Sequence, residues 1–134
     1  MDDDLSRWKD DTLLWWMILL VGIHSCVLGL AMLLAPRLLL ATFGFAPSAS
    51  IFFPSQSGIF LLILGVCYLR ALVVPSFVWT ILVSKALAVL FLLVHVAFLD
   101  APPIIWPAAA GDAGMLAAVA VLLHRHGRRG LASR

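Results

Sequence analysis

Charge is what this chain has least of. Asp, Glu, Lys and Arg make up 12% of its 134 residues, about half their share in a soluble globular domain. Hydrophobic residues make up 63%, and mean hydropathy is +1.09. A water-soluble domain is thereby excluded and an integral membrane protein expected. Cysteine is scarce too. Cys26 and Cys67 fall in different apolar stretches, roughly 8 Å apart in depth at ~1.5 Å rise per residue. They read as small packing residues rather than a disulfide. The N-terminus, MDDDLSRWKDD, lacks a basic n-region, and the apolar stretch behind it is longer than a signal h-region and has no small-residue cleavage site. It is expected to remain as a membrane span. No internal repeat or low-complexity linker divides the chain, so one domain, 1–134, is expected.

Catalytic signatures are missing as well. There is no HExxH, GxxxxGK[ST], GxGxxG, CxxC or haem-attachment motif. No Ser–His–acid arrangement has its members gathered. His24 and His95 differ in depth, which argues against a bis-histidine haem. His124 and His126 in LLHRHGRR stand two residues apart, hence on different helix faces, with no neighbouring acid or cysteine in the sequence. No metal, no cofactor and no enzyme acting alone are expected. The basic stretch HRHGRRGLASR is read as a cytoplasmic tail against anionic lipid, not as a nucleic-acid contact.

What is present is a set of four apolar segments, at about 12–34, 55–73, 76–99 and 104–123, each near the ~20 residues that carry a helix across ~30 Å of hydrocarbon. The fold class expected is all-α, a polytopic membrane protein forming an antiparallel four-helix bundle, with residues 124–134 as the tail. PRLLLATFGFAPSAS, between the first two spans, is too apolar for a solvated loop and is read as an interfacial helix or turn. Val74–Pro75 joins the second and third spans as a tight hairpin. Arg7, Lys9, Arg70, Arg125, Arg128, Arg129 and Arg134 fall on one side and Arg37 alone on the other, seven against one with Lys85 excluded as intramembrane. The positive-inside rule then puts both termini in the cytoplasm. Trp15, Trp16 and Trp79 suit the inner interface and Trp106 the outer. Ala110, Gly114 and Ala118 repeat every four residues in the fourth span, and Gly22, Ser25 and Gly29 give the first a similar face. That spacing permits close helix approach, and the fourth span is expected to be the most enclosed.

Lys85, in TILVSKALAVL, lies well inside the third span, where an unpaired ammonium costs about 2.5–3.5 kcal/mol on insertion scales. Asp112, in AAAGDAGML, and His24 of the first span share its depth to within about one turn, ~5 Å. Ser25 and Ser84 add hydroxyls. The cluster admits two readings: an ion pair that locks helix register, or a site for the polar head of a lipophile or for proton relay. Gln56, at the outer end of the second span, is a candidate for a pocket mouth, with helix capping as the simpler reading. Pro54 suits the start of that helix.

LLAPRLLLATFGF after the first span, GIFLLILGVCYLRA, SKALAVLFLL and AAGDAGMLAAV together resemble the small four-helix DoxX/BphX-like membrane proteins of bacteria. The corresponding features are Pro36, Phe43–Gly44, Gly58 and Gly65, Lys85, and Gly111–Asp112. The resemblance, over about residues 13–123, implies the fold and a bacterial inner membrane. It further implies kinship with proteins some of which partner quinone-using membrane redox systems. Three functions follow as expectations. The first is a non-catalytic accessory or interaction subunit of a membrane complex or homo-oligomer. The second is a binding module for a quinone or lipid at Lys85, Asp112 and His24. The third is a proton-coupled transporter or channel.

Overall fold

The computed structural model describes residues 11–47 and 50–132, without the side chains of 127–132. Arg7, Lys9 and Arg134, and the side chains of Arg128 and Arg129, which entered the charge count, lie outside the described residues. The described chain is all-helical: α1 (Thr12–Leu34), α2 (Pro36–Thr42), α3 (Phe52–Arg70), a 3-10 turn (Pro75–Phe77), α4 (Val78–Phe98) and α5 (Ile105–Ala132). Four of these are long and apolar enough to cross a membrane.

Local chemistry sets the boundaries. Asp11 caps α1, its carboxylate accepting from the Leu14 N–H at 3.3 Å. Pro36 forces Ala35 out of helical geometry (φ −137°, ψ 54°) and itself opens α2. α2 closes at Phe43–Gly44. Gly44 takes the left-handed conformation (φ +74°), its N–H meets the Ala41 carbonyl, and the Phe45 N–H meets that of Leu40, both at 3.0 Å. That pair of bonds is a Schellman cap, so the FG turn is a helix stop made from a residue without Cβ. Asp100 is also left-handed after α4 (φ 53°), tolerated because a short polar side chain strains least there, and the Ala101 N–H turns back to the His95 carbonyl at 3.2 Å.

Three boundaries differ from the sequence reading. α3 begins at Phe52, not Ser55, because the Ser55 N–H already bonds the Ile51 carbonyl at 2.9 Å; Pro54 sits inside its first turn. It also stops at Arg70, and residues 71–74 form turns closed by the Val74 N–H on the Arg70 carbonyl at 2.8 Å. α5 runs to Ala132, so most of the basic tail continues the helix instead of leaving it.

Packing is uneven. The most intimate interface joins α1 to α3, and the next joins α4 to α5; α1–α5 and α3–α4 meet more sparingly. Glycine explains the first. A Cβ on Gly29 would stand 2.6 Å from the Leu62 nitrogen, and one on Gly58 would stand 2.8 Å from the Gly29 carbonyl oxygen. Farther along, Gly22 faces Leu69 and Gly65 faces Cys26. The expectation for α5 is overturned: Gly111 and Gly114 have nothing within 4 Å of where a Cβ would be, and Ala110, Gly114 and Ala117 are exposed. The enclosed helix is α1, which buries Leu14, Ile18, Val21, Gly22, Ser25 and Gly29.

The main buried cluster occupies one half of the molecule, while Ile105 and Ala109 are buried separately near the start of α5. Leu14, Ile18 and Val21 of α1 meet Tyr68 of α3, Val78 and Ile81 of α4, and Val119 and Leu122 of α5, with Ala71 just past α3. All lie toward the ends of the helices nearest the chain termini. Beyond this plug the helix pairs part.

Candidate functional site

Where the helices separate, a cleft of about 1240 Å³ opens. Its polar lining follows the apolar plug directly along each helix: on α1 the core residue Val21 gives way to His24 and Ser25, on α4 Ile81 to Ser84 and Lys85, and on α5 Val119 to Met115 and Asp112. Higher up the walls are apolar, with Leu28, Leu61, Phe91 and Ile105 among them, and Leu40, Phe43 and Phe45 of the α2 segment stand over the mouth. Periodicity within each helix produces this arrangement. Val21, Ser25 and Leu28 share one face of α1, and Ile81, Lys85, Ala88 and Leu92 one face of α4, spaced by three or four residues.

At the floor, Lys85 Nζ donates to Asp112 Oδ1 at 2.6 Å. The lysine side chain is 5% exposed and the aspartate 16%, so the pair sits in low dielectric with one edge toward the cleft. Such a pair gains strongly from mutual attraction and costs heavily in desolvation, and leaving either partner alone is far worse than either. Beside it, the hydroxyls of Tyr68 and Ser84 lie 2.5 Å apart, and Ser84 also donates to the Thr80 carbonyl within its own helix. The Ser25 hydroxyl is different. It is fully buried, lines the cleft and has no hydrogen-bond partner among the described residues.

Of the residues singled out from sequence, Lys85 and Asp112 are brought into contact. His24 lines the same cleft but is exposed and bonded to neither. Gln56 is exposed and lies outside the cleft lining. His95 also lines the cleft, its ring against Phe91 (centroids 3.8 Å apart) with Nδ1 2.8 Å from the Phe91 carbonyl oxygen. His126, which has no acidic neighbour in sequence, has one in space: Oδ2 of Asp11, the N-cap of α1, lies 3.7 Å from its Nδ1. Both cysteines are free thiols.

Comparison with protein-family models, curated proteins and solved structures finds no match to this chain. The functional reading therefore rests on its own geometry. A wide apolar cleft with a few convergent polar groups at its floor is the general form of a small-molecule site, and this one has room for a chain-like molecule larger than most drug-sized ligands.

Proposed function

We propose that the protein is an antiparallel four-helix membrane module, with cytoplasmic termini, that holds a lipophilic small molecule in its cleft. The Lys85–Asp112 pair and Ser25 receive the polar end, and the apolar walls receive the chain. The observation that carries this reading is the cleft itself, which ends on a buried ion pair and an unpartnered hydroxyl instead of on closed packing. The resemblance to DoxX/BphX-like proteins fits the same architecture, with α2 lying at the interface above the cleft. Transport is the weaker reading, because the plug of Leu14, Ile18, Val21, Ile81, Val119 and Leu122 closes the far half with apolar side chains. Native mass spectrometry of protein released from lipid nanodiscs tests the proposal. A retained small molecule is expected, and it is expected to be lost in Lys85→Met; retention unchanged by that substitution would refute the assigned site.

One observation favours a second reading, an accessory subunit that docks on a larger membrane protein. Ala110, Gly114 and Ala117 present an uncovered small-residue face on α5, suited to close approach by another helix. Purification in mild detergent at native expression tests it. Co-purification with a stoichiometric partner is expected on this reading, and a strictly solitary monomer counts against it.

A further inference from the structure

We infer that the cleft selects a neutral lipophile whose polar end is a hydrogen-bond acceptor, a ketone or ester carbonyl, and discriminates against a fatty-acid anion. The inference rests on the lipophile-binding reading and narrows it to a chemical class.

Charge balance comes first. Among the described residues, the ionised groups lining the cleft floor are one ammonium and one carboxylate, 2.6 Å apart, so their charges cancel. A carboxylate head arriving there would place two anions about one cation in a medium that screens poorly. That repulsion weighs against holding the anion. A cationic head meets the mirror problem at Lys85. A neutral head disturbs nothing.

Hydrogen-bond inventory comes second. An ammonium offers three N–H donors, and Lys85 makes one side-chain bond among the described residues, to Asp112. Among the described residues Ser25 offers an O–H with no partner. The floor thus presents unfilled donors from two helices, α1 and α4, in a place where an unmade hydrogen bond is costly. A carbonyl oxygen has two lone pairs with which to accept from such donors. A plain hydrocarbon fills the walls but leaves those donors unmet.

The test uses the full-length protein in mild detergent at pH 8 and four probes of similar chain length: 2-heptadecanone, methyl palmitate, palmitate and heptadecane, competed pairwise and read by native mass spectrometry. The ketone and the ester are expected to be retained about tenfold better than palmitate or heptadecane, as one hydrogen bond to a charged donor implies. Asp112→Asn removes the anion and is expected to reverse the order between palmitate and methyl palmitate, because Lys85 then lacks its counter-ion. Palmitate held as well as the ester by the unmodified protein would overturn the inference while leaving lipophile binding intact. Retention of none of the four would overturn the lipophile reading and the inference with it. The unmodified protein decides between these outcomes even if Asp112→Asn does not fold.

Discussion

Lys85 keeps its place in an apolar span because Asp112 lies 2.6 Å away on another helix, and the two stand or fall together. Replacing either alone by an apolar residue leaves a buried charge unpaired. Lys85→Met and Asp112→Leu are each expected to cost about 3–5 kcal/mol, and the double variant is expected to recover much of that loss. Reversible unfolding in mixed micelles measures it; additive losses in the double variant would show that the pair is not coupled. The two serines separate in the same assay. Ser84→Ala removes the Tyr68 partner and is expected to cost about 1 kcal/mol, whereas Ser25→Ala removes a hydroxyl that bonds to nothing and is expected to leave stability unchanged or slightly raised. The pairing of Lys85 with Asp112 was legible in the sequence, since charges are few and these two share a depth. The solitude of Ser25 was not, because hydropathy says nothing of which neighbour turns toward a buried hydroxyl.

At the scale of helices, small residues divide into those with a neighbour in this chain and those without. Gly29 and Gly58 touch backbone to backbone, so Gly29→Leu is expected to force α1 from α3 and destabilise by about 1–3 kcal/mol. Gly114→Ala meets open space and is expected to be neutral or stabilising by up to ~1 kcal/mol through helix propensity. Thermal unfolding of both variants in one detergent checks the contrast, and equal destabilisation would contradict it. The four apolar segments and the proline-bounded connection after α1 could be read directly, since span length and Pro36 are local signals. The choice of α1 rather than α5 as the enclosed helix could not. Small-xxx-small spacing marks a face able to approach another helix, and Gly22 and Gly29 carry that signal as well as Ala110, Gly114 and Ala118 do. Which face finds a partner depends on the matching glycines Gly58 and Gly65 across the interface.

The whole molecule is a tight half and an open half. The glycine-packed pair α1–α3 and the pair α4–α5 share their main apolar plug toward one end, and the cleft lies beside it, an arrangement that no single span encodes. Polar groups gather at the level where packing ends, so the site sits at the boundary between plug and cleft. Occupancy of this cleft by a lipophile can be tested cleanly at Gly111. Gly111 lines the cleft, yet a Cβ there meets nothing within 4 Å, so Gly111→Leu adds bulk to the cavity without crowding the fold. Native mass spectrometry of the two proteins from identical nanodiscs is the most direct measurement. The account predicts a bound small molecule on the unmodified protein and its loss from Gly111→Leu at undiminished thermal stability. Equal retention by both, or a bare mass for the unmodified protein, would contradict it.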